Sequence, residues 1–247
     1  MNNIIAVFEE FFNEFKRIMF DGGRFDFILE GLLNTFLITL GSLVIGIVIG
    51  VLVAAVRTSY DKNKETLRLR GGISNVLMVF LNSICKIYLT VIRGTPVVVQ
   101  LMIFYFIIFA SSDNGVLVAI FAFGINSGAY VAEIFRAGIM SIDNGQFEAG
   151  RSLGFSYYRT MYHIIIPQMF KAVLPTLCNE FIVLLKETSV AGYVGVIDLT
   201  KAGNVIAGRT FSYFIPLISV AIIYLIVVMV LTWLVGKLER RLRKSDR

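Results

Sequence analysis

The side chains able to do bond chemistry are few and scattered in this 247-residue chain. His163 is the only histidine, and Cys85 and Cys178 are the only cysteines. A hydrolytic or metal centre requires a nucleophile–base pair or a ligand set held together, and one histidine beside two isolated cysteines offers neither. A G-x-x-x-x-G-K-[ST] phosphate loop is also missing from the sequence. The expectation is a non-catalytic chain with no cofactor and no metal of its own. More telling are polar groups embedded in apolar runs, where each charge needs a partner or water. Arg93, Glu133 and Arg136 are candidates for a structural or gating ion-pair cluster, as are Lys186 and Glu187 at the end of a later run. Gln100, Asn126, Asn179 and Glu180 lie nearer the middle of their runs. They either bond between helices or line the path of a polar solute.

The elements carrying these residues must be membrane helices. The chain is 57% hydrophobic and 16% charged, with a mean hydropathy of +0.78, whereas soluble domains carry about 25% charged residues. Its apolar runs approach the roughly 20 residues that span a bilayer and lack the alternation of a membrane barrel. The fold class is therefore an all-α polytopic membrane protein with five transmembrane helices. The spans are expected near Phe27 to Val56, Asn75 to Ala110, 115–140, 162–186 and 213–236. The first carries Ser42, Gly46, Gly50 and Ala54 at four-residue spacing, a stripe that admits another helix closely. The second, at about 36 residues, would be roughly 54 Å long as one helix. "RGTP" (Arg93 to Pro96) should break it into a tilted or interfacial helix and a half-helix that together make one crossing. Ahead of the first span, Ile4, Ile5, Phe8, Phe11, Phe12, Phe15 and Met19 fall at helical spacing, as on a helix lying along a membrane surface. The expected organisation is an amphipathic surface segment (1–26), one five-helix domain (27–238) and a basic tail (239–247).

Charge orients the bundle. The connector carries Arg57, Lys62, Lys64, Arg68 and Arg70, and the tail carries Lys237, Arg240, Arg241, Arg243, Lys244 and Arg247. Five spans put both segments on one side, and the positive-inside rule makes that side cytoplasmic, with the N-terminus outside. The +6 net charge so distributed suits lipid head groups rather than nucleic acid. No cleavable signal peptide is evident in the acidic, amphipathic start of the chain.

Between the third and fourth spans lies a polar interval, "QFEAGRSLGFSYYRTMYHIIIP" (146–167). Asp143 is placed to cap a helix start, with Gln146 three residues on completing a capping box. Residues 146–153 can form about two turns, and Gly154 supplies a left-handed stop. The pattern Glu148, Ala149, Gly150, then Gly154, Ile164, Ile166 and Pro167 resembles the E-A-A-x3-G-x9-I-x-L-P motif of ABC-importer permeases. Gly150 stands in place of the second alanine and Ile166 in place of leucine. "RGTPVVVQ" (93–100), "GAYVAEIFRAGI" (128–139), "GQFEAGRSLG" (145–154), "PQMFKAVLP" (167–175) and "LLKETSV" (184–190) resemble the polar amino-acid subfamily of those permeases, in the same order. Val190 departs from its usual leucine.

The resemblance implies that Gln146, Glu148, Ala149, Gly150 and Gly154 form a coupling helix that docks on a separate ATPase subunit, where ATP and Mg are bound. It further implies a second permease subunit, identical or homologous, an extracytoplasmic solute-binding protein, and a bacterial plasma membrane location. An amino-acid substrate carries an ammonium and a carboxylate, which the donors and acceptors at 126, 179 and 180 would match. A secondary transporter, or an ABC permease for another small polar solute, is the competing class. The former would often show two related halves, and no convincing internal repeat is present.

Overall fold

The computed structural model describes residues 2–69 and 73–244. Arg70 and Arg247 lie outside the described residues, as do the side chains of Ile4, Ile5, Phe8, Lys64, Arg68, Arg243 and Lys244. The described residues form helices joined by short turns, with no strand among them. Five of the helical segments are long and apolar enough to cross a membrane.

After α1 (Asn2–Phe20), helix α2 (Arg24–Leu69) runs unbroken for 46 residues. The apolar run ends near Val56, as expected, but the helix does not. No glycine or proline interrupts residues 51–69, and the Lys-, Glu-, Leu- and Arg-rich extension favours helix without needing burial. Of the expected apolar face of α1, Met19 is buried with Ile18, Phe15 packs beside them, and Phe11 and Phe12 stay exposed. Arg24 Nη1 donates to the carbonyls of Arg17 and Ile18, closing the end of α1.

The centre of the bundle is the seam between α2 and α5 (Gly115–Met140). The two helices run parallel, with Gly46 against Ser127 and Gly50 against Val131. Gly124 and Gly128 answer from the other side, against Ile45 and Ile49. Ser42 Oγ donates to the Ile120 carbonyl at 3.1 Å. In lipid no hydrophobic force draws helices together, so close backbone approach through small residues supplies the attraction. The four-residue stripe on the first span is this seam.

Helix α3 (Ile73–Gly94) stops before Thr95-Pro96, and α4 (Val97–Ile103) resumes, ending in a π-helical turn, Phe104–Ile108. The break and half-helix expected at "RGTP" are both present. Proline lacks an N–H and disfavours helical geometry in the residue before it. Between α5 and the next long helix come α6 (Asn144–Ser152), the single turn α7 (Tyr157–Thr160) and a second π turn, Met161–Ile165. Helix α8 (Ile166–Glu187) accepts Pro167 in its first turn and Pro175 within. It runs antiparallel to α5. A 3-10 turn (Thr188–Val194) leads to α9 (Leu199–Thr210), capped by Asp198, and α10 (Phe214–Lys244) completes the bundle. Thus α6 lies at one end of the bundle and α9 at the other.

Candidate functional site

Three groups of side chains stand out, and the first is at the α3–α4 break. A helix end leaves carbonyls unpaired, and away from water each must find a donor. Gln100, 6% exposed, supplies it. Its Nε2 donates to Ile92 O at 2.7 Å, Thr95 O at 3.1 Å and Thr95 Oγ1 at 2.7 Å. Its Oε1 accepts from Asn126 Nδ2 on α5 at 3.0 Å. One residue on, Ser127 Oγ donates to Glu180 Oε1 on α8 at 3.1 Å. Gln100 and Asn126 are therefore joined to one another, with the Gln100 amide already engaged at the break. Glu180 keeps its second carboxylate oxygen for another partner. Asn179 does not join this group: it faces outward on α8, in an exposed stripe of Ala172, Thr176, Asn179, Val183 and Lys186. Ser127 escaped the sequence reading because one serine in an apolar run carries no signal of its own.

A second group is an ionic chain. Arg93 Nη1 lies 4.0 Å from Glu133 Oε1, Glu133 Oε2 3.5 Å from Arg136 Nη2, and Arg136 Nη1 3.3 Å from Asp61 Oδ2. The structure thus brings together the three expected charges and adds Asp61, from the extension of α2. Sequence reading had treated that stretch as a connector for counting charge. Arg93 also lies over the Tyr130 ring, 5.5 Å from its centroid. The side chains are about a third exposed or more, so each pair contributes about 0–1 kcal/mol, and their effect is mainly to set register among α2, α3 and α5. Lys186 and Glu187 are not part of it. They form no ion pair within 4 Å of each other or of another charge among the described residues, because adjacent positions on a helix do not face each other.

The third group is α6. Asp143 caps it, Oδ1 accepting from Gly145 N at 2.7 Å. The reciprocal half of the expected capping box is not made: Gln146 Oε1 instead accepts from Gln168 Nε2 on α8 at 3.4 Å. The C-terminus closes as a Schellman motif, with Phe155 N donating to Gly150 O and Gly154 N to Arg151 O. Gly154 has φ +77, the left-handed conformation expected of it. Gly150 is buried, and a Cβ there would come within 2.7 Å of Thr160 Cγ2 and Oγ1. Glycine at this position is therefore a fit to Thr160, a neighbour that spacing alone did not reveal. The opposite face is open: Glu148, Ala149, Ser152 and Leu153 are exposed. Lys62 Nζ sits 3.2 Å from the Phe147 ring centroid, joining α2 to α6. His163, exposed, has Nδ1 3.1 Å from Arg159 O. No group of three or more His, Cys, Asp or Glu able to hold a metal occurs among the described residues.

Known proteins resemble this chain in both sequence and fold. Residues 69–244 match the family described as binding-protein-dependent transport system inner membrane component. The arginine transport system permease protein ArtQ of Bacillus subtilis is 36% identical over 223 residues, covering 89% of this chain and 94% of that one. The glutamine transport system permease protein GlnP of Escherichia coli K12 is 36% identical over 220 residues, covering 87% and 93%. Among solved structures, an amino acid ABC transporter with histidines matches at TM-score 0.75 and 36% identity, over 87% of this chain and 94% of that one. The inward-facing MetNI methionine ABC transporter, 18% identical over 90% and 99%, shares the fold at TM-score 0.74. A five-span helical bundle with this sequence belongs to the binding-protein-dependent transport system inner membrane components, the permease subunits of ABC importers.

Proposed function

We propose that this permease carries an amino acid inward and is driven by ATP hydrolysed in a separate subunit that docks on α6. The observation that carries the docking reading is the two-sidedness of α6. One face is pinned by Gly150 on Thr160 and by Gln146 on Gln168. The other leaves Glu148, Ala149, Ser152 and Leu153 free at the end of the bundle. A rigidly seated knob of this kind suits a groove on a soluble partner. ATP and Mg belong to that partner, and this chain performs no chemistry. ATP closure acts through the partner's differential affinity for two conformations of the permease, as any such switch must.

The amino-acid substrate is supported by the relatives named for arginine and glutamine transport and by the polar groups Glu180 and Asn179 on α8. Glu180, with an oxygen to spare beside Ser127, suits an ammonium. The Asn179 stripe on α8 is too polar for lipid and suits a water-lined path shared with a second permease subunit, identical or homologous. The α9 end would receive an extracytoplasmic solute-binding protein, with the N-terminus then outside and the C-terminus in the cytoplasm. Residues 1–26 would then be the surface segment, 27–238 the membrane domain and 239–247 the basic tail, in a bacterial inner membrane.

The test is ATP hydrolysis by the chain reconstituted with its ATPase and solute-binding protein, across the twenty standard amino acids. Stimulation by one or a few of them, lost in Glu148→Arg with assembly intact, supports the reading. Stimulation that survives Glu148→Arg removes α6 as the docking element. An assembled complex that none of the twenty stimulates points to another small polar solute.

A further inference from the structure

We infer that the extension of α2 beyond Val56 is a third limb linking α6 to the membrane bundle, with Lys62 and Asp61 as its positioning residues. This rests on the reading of α6 as the docking element. Helix α6 is tied covalently to α5 through residues 141–143 and to α8 through the turns at 153–165. The contact of Lys62 with the Phe147 ring, 3.2 Å from Nζ to centroid, is a third attachment made by a helix remote in sequence. The neighbouring Asp61 turns to the other side and meets Arg136 at 3.3 Å. From there the charges continue through Glu133 to Arg93, two residues before the Thr95-Pro96 break that begins the half-helix α4. One turn earlier on the same limb, Arg57 Nη1 donates to Asn82 Oδ1 on α3 at 2.9 Å. The limb therefore touches α6, α5 and α3 within two turns of one helix.

The mechanical consequence follows from α2 being unbroken from Arg24 to Leu69. A displacement of Phe147 bears on a rod whose other contacts include the glycine seam with α5 and the ionic chain leading to the α3–α4 joint. At that joint Pro96 has no N–H to donate, and the Ile92 and Thr95 carbonyls are met by the Gln100 side chain instead of by helix amides, so the helical ladder is broken there. Coupling requires an element with two arrangements that both ends bias, and the joint is the element this limb reaches.

The experiment uses the full chain with its ATPase and solute-binding protein in proteoliposomes. The probe is whichever of the twenty amino acids most stimulates the unaltered complex, and the readout is uptake per ATP hydrolysed, with assembly checked by co-purification. Lys62→Met and Phe147→Leu should each lower uptake per ATP by about twofold to fivefold, the range one exposed cation–π contact allows. Their combination should be no worse than either alone. Lys62→Arg, which keeps the cation, should retain coupling, and the near-isosteric Asp61→Asn should lose it to a similar degree. Glu148→Arg is the control for docking. If Glu148→Arg uncouples while Lys62→Met and Asp61→Asn keep full uptake per ATP, the limb is overturned and the docking reading stands. If Glu148→Arg also keeps it, both fall. Additive losses from Lys62→Met and Phe147→Leu would overturn the contact as a coupling element.

Discussion

Asn126 on α5 donates from Nδ2 to Oε1 of Gln100 on α4, 3.0 Å away, and both side chains are all but closed to solvent. That bond fastens a seven-residue half-helix to the most buried helix of the bundle. The same Gln100 amide closes the carbonyls left open where α3 stops. The pair is a latch at the joint of a broken span.

Gln100→Leu keeps the approximate volume and removes every one of these bonds. It should destabilise the protein by about 1–3 kcal/mol, the cost of leaving buried polar groups without partners. Thermal unfolding in detergent measures it, and Asn126→Ala in the Gln100→Leu background should add little, since their shared bond is already gone. Full additivity would show that the two side chains act separately.

Gly50→Ala puts a Cβ 2.5 Å from Val131 Cγ1 and 2.9 Å from the Ala132 amide nitrogen. The second is backbone and cannot rotate aside. Overpacking of this kind costs about 1–3 kcal/mol, read as a lower melting temperature. At Gly236, where a Cβ meets nothing within 4 Å, the same substitution should be neutral or slightly stabilising, because alanine is the better helix former.

Gly150→Ala sets two effects against each other. Helix propensity favours alanine by about 1 kcal/mol, but Thr160 stands 2.7 Å from the new methyl, and a β-branched neighbour has few rotamers to escape into. The clash should prevail and lower the melting temperature. Adding Thr160→Ala should reverse that loss, and failure to do so would show that α6 is not seated on Thr160.

Glu180→Gln preserves an oxygen for Ser127 Oγ and removes the charge. If the carboxylate meets the ammonium of an amino acid, uptake by the reconstituted complex should fall about tenfold to a hundredfold, as for a lost hydrogen bond to a charged group. Thermal stability should stay the same or rise. Unchanged uptake would leave Glu180 a purely interhelical group.

Asp198 lies in the turn before α9, 0% exposed. Burial raises its carboxyl above the ordinary aspartate value, while hydrogen bonds from the Thr200 and Lys201 amides act in the opposite sense. With the raised folded value, the native state holds the proton more tightly than the unfolded chain. Its contribution is complete below the unfolded pKa and declines as pH rises through the folded one. Melting temperature should therefore fall in the window beginning near pH 4, and Asp198→Asn should remove that dependence while keeping the cap. Asp198→Ala should also remove the dependence and lie about 1 kcal/mol below Asp198→Asn at every pH, the usual worth of a cap.

The membrane class and the five spans were legible in the sequence because each rests on a local physical cause. Twenty apolar residues need no knowledge of their neighbours to prefer lipid. Pro96 breaks α3 through its own missing N–H, and Gly154 ends α6 through its own permitted φ. The four-residue stripe of Ser42, Gly46, Gly50 and Ala54 likewise announced a close helix contact, although not that α5 would make it. What required tertiary structure was every property belonging to a pair. That Gln100 spends its amide on the α3 break and on Asn126, while Asn179 faces outward, depends on how α4 and α8 are rotated against α5. Residue counting fixes depth along a helix, not rotation about it. Lys62 reads as a connector charge and Asp61 carries no signal of its own, because the sequence does not show that α2 continues past its apolar run and reaches both α5 and α6. Gly150 looked like a weakened alanine until Thr160 was found above it. Local chemistry decides which elements form, whereas packing decides which side chains remain free to act.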